Sequence, residues 1–291
     1  MSLFDTEMIS VLSSLALDVS GDGRRRSDGL HRSRRPGSGM EFHDYRDYSP
    51  GDDLRRMDWN IFSRHRRLVV RRNAQHQRLR CRLVFDNSLS LHFEPIRRNA
   101  ALYSAAAIGA AVLNGGDVLE VDAGAHGRRR LFRRGSRDLL SLLEHLEYST
   151  RKPDETPGLP YSYFKLHRKG YDLSWFTSDF FDPSGVESMK TQLEAIPGCV
   201  GLVRIMRPSD ATPQLEPGTQ VELCDCETAA LMKVTVDDEL TTRYKDNYRS
   251  FVNVLNEFTR MRNSRYFEVN ADLKPFEQIK YMFPSGILRV N

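Results

Sequence analysis

Asp86-Asn87-Ser88-Leu89-Ser90 places a carboxylate and two hydroxyls at alternate positions directly after the β-prone run Arg82–Phe85. Carboxylate and hydroxyl oxygens on one tight loop suit a hard cation such as magnesium. The competing reading is a turn followed by a helix cap, since an Ala-rich, helix-like stretch begins after Pro95. A second run, Asp172–Thr177, also ends in oxygen-bearing side chains, Ser178 and Asp179. If the two runs are parallel strands of one sheet, Asp179 reaches the same edge as Asp86, where open α/β sheets hold ligands. Capping of a helix over Val186–Leu193 is again the alternative use of these side chains.

The elements that must position them follow from residue 79 onward. Strand-like runs at 79–85, 118–121, 128–132, 172–177 and 200–206 alternate with helical stretches at 99–113, 138–146 and 186–193. That alternation predicts a mostly parallel, three-layer α/β domain. A hairpin is expected from Val221–Cys226 and Leu231–Val236, around Asp225, Glu227 and Thr228. The longest helix ends at Met261, with Phe251, Val254, Leu255, Phe258 and Met261 at helical spacing. Tyr266–Val269 reads as an edge strand and Pro275–Tyr281 as a short closing helix. Two further helices are expected, over residues 4–18 and over Tyr161–His167.

At 291 residues, with 28% charged and 40% hydrophobic side chains, the chain can bury a sizeable core. The formal charge of +4 is placed unevenly, beginning with six arginines between Arg24 and Arg35. Such a patch can bind phosphate-rich polymers, but no nucleic-acid module or stacking motif accompanies it. A solvated basic arm or protein-docking surface is the expectation, and nucleic-acid binding is the minor alternative. No apolar run reaches the length that crosses a bilayer, and Met1–Ser20 lacks the pattern of a signal peptide. Four cysteines make no disulfide scaffold at this length, and Cys224-x-Cys226 has no second ligand cluster at zinc-site spacing. The expected location is the cytoplasm. No phosphate-binding Gly-x-x-x-x-Gly-Lys-Ser/Thr loop is present, so no nucleotide cofactor is expected.

Between Gly39 and Asn73, aromatics including Phe42, Tyr45, Tyr48, Trp59 and Phe62 are interleaved with Asp and Arg. Ser49-Pro50-Gly51-Asp52 is a strong turn signal, and Asp53 is placed to cap a short helical turn. The string from Arg46 to Trp59, RDYSPGDDLRRMDW, closely resembles the signature of domain-of-unknown-function family 58. Asp86–Ser90 and Ser178-Asp179-Phe180 match the von Willebrand factor A-like part of that family, and Asp225-Cys226-Glu227-Thr228 resembles its late Asp-x-Glu segment.

The resemblance runs from about Gly39 to the C-terminus and implies a von Willebrand factor A-like Rossmannoid three-layer sandwich with an added β-rich N-terminal subregion. The implied layout is a basic segment over 1–38, a signature subregion over 39–78 and the A-like domain over 79–291. In the A-domain pattern, Asp86, Ser88, Ser90 and Asp179 map to ligands of a metal-ion-dependent adhesion site for magnesium. The threonine that completes the pattern is assigned to Thr156, with Thr150 as the other candidate. Signature residues Arg46, Tyr48, Gly51, Asp52, Asp53, Arg55, Asp58 and Trp59 are expected to brace the first strand or to offer a second docking face. Family members often occur with MoxR-type AAA+ ATPases. The implied function is a non-enzymatic adaptor that docks such an ATPase and presents a protein client. Metal-dependent hydrolysis at Asp86 and Asp179 is the enzymatic alternative.

Overall fold

The computed structural model describes residues 3–17, 33–75, 78–123, 129–153, 170–182, 184–261, 264–284 and 288–290, without the side chains of 33–44 and 72–75. The chain divides into two compact units, Asp22–Leu79 and the remainder.

The larger unit begins with helix α1 (Thr6–Ser14), capped by Asp5 on Met8 N–H, and strand β1 (Leu15–Leu17). A single helix over residues 4–18 is thus corrected. The chain turns extended at Leu15 because β1 pairs antiparallel with β12 (Leu288–Val290). Asn114 Nδ2 also donates to the carbonyls of Leu12, Ser13 and Leu15, satisfying acceptors at the helix end.

In the smaller unit, β2 (Ser33–Asp47) pairs antiparallel with β3 (Val69–Gln75) through three irregularities of register. Between them lie a 3-10 turn (Leu54–Arg56) and helix α2 (Trp59–His65).

The larger unit resumes with β4 (Arg80–Phe85), a short helix α3 (Leu89–Phe93) and α4 (Pro95–Asn114). Next come β5 (Val118–Ala123), β6 (Arg129–Phe132), α5 (Leu139–Ser149) and β7 (Leu173–Ser178). Then follow α6 (Val186–Glu194), β8 (Cys199–Met206), a helical turn α7 (Pro208–Ala211) and the hairpin strands β9 (Gln220–Cys224) and β10 (Leu231–Thr235). Helix α8 (Asp238–Met261), β11 (Arg265–Asn270) and α9 (Pro275–Lys280) complete the unit before β12. The helix expected over Tyr161–His167 lies outside the described residues.

The central sheet has the order β11-β8-β7-β4-β5-β6. Every neighbouring pair is parallel except β5 with β6, so β6 is an antiparallel edge. This is an α/β fold of the von Willebrand factor A-like, Rossmannoid kind. Strand β4 continues to β5 on one side and lies against β7 on the other, which puts the reversal of strand order between β4 and β7. At such a point open α/β sheets carry a crevice at the carboxyl ends of the strands.

Both faces of the sheet are covered, so its central strands read as continuous apolar runs. On one face Val84, Phe176 and Leu202 pack with Met189 and Leu193 of α6 and Leu255 and Phe258 of α8. On the other lies α4, whose residues 100, 101, 105–108 and 110–113 are fully buried. Alanines at seven of these positions let neighbouring elements approach the helix closely on several sides. Gly201 meets a similar constraint, since a Cβ there would fall 2.1 Å from the buried Trp175 ring.

Candidate functional site

Asp86 follows β4 and its N–H donates to Thr177 O at 3.0 Å, so the ends of β4 and β7 are tied across the switch point. Its Oδ1 accepts from Ser88 N–H at 2.9 Å, and its Oδ2 accepts from the Ser178 hydroxyl. The Ser88 and Ser90 hydroxyls lie 2.9 Å apart. Asn87 turns away: its amide donates to Lys152 O at 2.7 Å, and its Oδ1 meets His92 Nε2 at 2.8 Å. The loop is thus a short scaffold holding one carboxylate and two hydroxyls together.

Asp179 arrives from the end of β7. Its Oδ1 accepts from Phe181 N–H at 3.1 Å, while Ser178 Oγ accepts from Phe180 N–H at 2.8 Å. Phe180 takes φ 64°, a left-handed conformation unfavourable for a bulky L-residue. Deep burial of its ring holds it there and lets the chain reverse sharply beside the site.

Asp86 and Asp179 are both 3% exposed. Burial, and then the negative charge of Asp179, push the Asp86 carboxyl up to about 7. Burial pushes Asp179 up to about 6, opposed by the Phe181 amide, Ser90 and Arg97, with the like charge of Glu227 adding to it. Arg97 is itself engaged by Glu94 and by both oxygens of Asp210. Two adjacent buried carboxylates held in this way are short of positive charge.

That shortage is the test of fit for a cation. The donor set of Asp86, Ser88, Ser90 and Asp179 is all oxygen, matching magnesium rather than a softer metal. Among the described residues, no group of three or more His, Cys, Asp or Glu side chains could hold a metal ion. The arrangement is therefore a mixed carboxylate–hydroxyl set. Thr156 lies outside the described residues. Thr150 is buried at the end of α5, where its hydroxyl donates to Leu146 O at 2.8 Å.

The late acidic segment reaches the same loop. Glu227, at the tip of the β9–β10 hairpin, accepts from Ser90 N–H at 2.7 Å. No local sequence pattern signals this contact, which spans 137 positions.

The signature residues lie in the smaller unit and hold its turns. Asp58 caps α2 on Asn60 and Ile61 N–H and also accepts from Tyr45 Oη and Arg71 Nε, each at 2.9 Å. Its carboxyl is held below the ordinary range by the Ile61 amide first, then by Tyr45 and Arg71. Asp52 pairs with Arg46 and accepts from Ser49 N–H at 2.8 Å, and Asp53 caps the 3-10 turn on Arg55 N–H. Gly51, at φ 100°, supplies the turn conformation that other residues resist. Tyr48 N–H donates to Leu68 O at 2.9 Å. Trp59 is 58% exposed, edge-on to Phe62.

Residues 44–252 match the family described as "Protein of unknown function DUF58", and the chain belongs to that family. It is similar to uncharacterized protein Rv1480 of Mycobacterium tuberculosis (strain ATCC 25618 / H37Rv) and uncharacterized protein Mb1516 of Mycobacterium bovis (strain ATCC BAA-935 / AF2122/97). Each is 34% identical over 137 residues, covering 41% of this chain and 42% of the relative. The chain therefore spans less than half the length of these relatives in the match. No solved structure matches.

Proposed function

We propose that this DUF58 chain is a non-enzymatic protein-interaction module of the cytoplasm, an adaptor that works with a MoxR-type AAA+ ATPase in complex assembly or maturation. The observation that carries the reading is the pair of buried, charge-deficient carboxylates at the switch point, Asp86 and Asp179, beside the Ser88 and Ser90 hydroxyls. In this proposal Asp86, Ser88, Ser90 and Asp179 hold magnesium, with Thr156 the assigned fifth side chain. A magnesium ion held there would accept a carboxylate of the client or the ATPase. The chain's own part is to fix the oxygens: Ser178 and the Ser88 amide orient Asp86, and the Phe181 amide orients Asp179. Asp52, Asp53 and Asp58 serve as braces of the signature unit, and Trp59 offers the exposed ring of a second docking face.

The test mixes purified wild-type or D86A protein with the MoxR-type ATPase of the same organism, in magnesium or EDTA. Complex formation by wild type in magnesium, lost in EDTA and in D86A, is the expected result. Binding that ignores both perturbations would overturn the cation site. Metal-dependent hydrolytic turnover abolished by D86A would overturn the non-enzymatic reading.

A further inference from the structure

The β9–β10 hairpin is mostly exposed, yet its tip is firmly shaped and turned onto the sheet edge. Asp225 Oδ1 accepts from the amides of Glu227 at 2.8 Å and Thr228 at 3.4 Å, and Asp225 N–H donates to Ala230 O at 2.9 Å. This closed tip aims Glu227 at Ser90. The other carboxylate oxygen of Glu227, Oε2, is buried and has no hydrogen-bond partner. Its charge is therefore served by one backbone amide, close to the further negative charge of Asp179.

Glu227 lines a cleft of about 300 Å³ between the hairpin tip, the loop after β7 and α8. The walls have two characters. Phe181 and Phe251 stack with centroids 5.0 Å apart and, with Val186, form an apolar side. Asp182, Asp225 and Glu227 form an acidic side, and no Lys, Arg or His is among the described residues lining the cleft. The aromatic pair is braced from within by Arg204, whose guanidinium lies 5.9 Å from the Phe181 centroid and 5.1 Å from that of Phe251. Arg204 is fully buried and already engaged, donating to Glu268 Oε1 and Tyr248 Oη at 2.7 Å each.

We propose that this cleft receives one basic side chain, arginine or lysine, presented by a partner polypeptide. The volume lies at the small end of ligand pockets, suiting a side chain better than a cofactor. The methylene stem packs on the Phe181–Phe251 face, and the charged head meets Asp182 and, once the Glu227 side chain turns its buried Oε2 out to the cleft, Glu227. The charge balance sets the choice of occupant: an acidic group would add to three carboxylates, and an apolar one would leave them without a counter-charge. The inference rests on reading this edge as a recognition surface, and it adds a second determinant beside the partner's carboxylate. A segment carrying an acid and a base close together would engage both.

The test is an NMR titration of isotope-labelled full-length protein with blocked tripeptides, acetyl-Gly-Xaa-Gly-amide, where Xaa is Arg, Lys, citrulline, Glu or Leu. Arginine and lysine peptides should shift the Val186 methyl and the Phe181 and Phe251 ring signals saturably, while citrulline, isosteric but uncharged, should not. E227Q and D182N should each weaken the arginine peptide about tenfold, since a charge-assisted bond is replaced by a neutral one. Each substitution nearly preserves shape, and the two lie on different segments, so unfolding of one leaves the other as a test. No saturable shift with either basic peptide would overturn the proposal. So would equal binding of the citrulline, glutamate or leucine peptide, or wild-type affinity in both variants. Running the titration in magnesium and again in EDTA separates this cleft from the cation site, so that either reading can fail alone.

Discussion

Asp86→Asn should make the cation-free protein more stable at pH 8, although it removes the central residue of the proposed site. With its carboxyl pushed from 3.8 up to about 7, Asp86 is costly to keep ionised at pH 8 in its buried position. At 1.36 kcal/mol per pH unit that cost is at most about 4 kcal/mol. Asparagine removes the charge and keeps one oxygen for the Ser88 amide, but it cannot accept from both Ser88 and Ser178, a loss of about 1–2 kcal/mol. The net expectation is a gain of about 2 kcal/mol, or roughly 4 °C in Tm for a chain of this size. The sign follows from proton linkage. The folded state holds protons on Asp86 and Asp179 that the unfolded state has released, so the contribution of these two groups is fully present below about pH 4, declines as the pH rises and is lost above pH 6 to 7. The advantage of D86N should therefore disappear at pH 5. Magnesium should reverse the order at pH 8, because it stabilises only the ionised wild-type site. Calorimetry in EDTA and in excess magnesium at the two pH values reads all four cases. A D86N protein less stable than wild type at pH 8 in EDTA, or equally shifted at both pH values, would refute the reasoning.

Other substitutions test the frame around the site. Gly201→Ala should cost about 1–3 kcal/mol by overpacking, because its Cβ meets the Trp175 ring; denaturant unfolding measures it, and a neutral result would mean that the Trp175 ring yields without cost. Arg97→Ala should cost about 3 kcal/mol, since Asp210 and Glu94 lose their shared guanidinium inside the protein, and lysine should restore only part of it without the two-pronged contact to Asp210. Asp58→Ala should leave the central sheet intact and raise hydrogen exchange at the Asn60 and Ile61 amides, which it caps. Unchanged protection at those two amides would remove Asp58 from its capping role.

Much of the sheet was legible because parallel central strands are buried on both faces and therefore read as unbroken apolar runs. The stretches 79–85, 172–177 and 200–206 closely anticipate β4, β7 and β8. The meeting of Asp86 and Asp179 was legible for the same reason, since parallel neighbours end at one edge. Leu15–Leu17 was not, because its extended form depends on pairing with Leu288–Val290 at the other end of the chain. Arg204 hid in a different way. A strand arginine reads as solvent-facing, and only the assembled set of Glu268, Tyr248 and two phenylalanine rings makes its full burial tolerable. Glu227 depends on where a hairpin tip comes to rest, which no local pattern encodes.

The hydrogen bond between Asp86 and Thr177 also has a kinetic meaning. It joins strands separated by some ninety residues of intervening chain, and the contact of Ser90 with Glu227 spans 137 positions. Contacts of such range carry a high loop-closure entropy, which must be overcome before they return any stability. Late closure of the switch-point edge is therefore the expected order of events, to be checked by φ-values at Thr177 and Ser90. A ligand that needs Asp86, Asp179 and Glu227 together would bind only chains whose sheet has closed, and would stabilise that closed state. On the proposed function, a partner that binds this edge would thereby distinguish folded chains from unfinished ones.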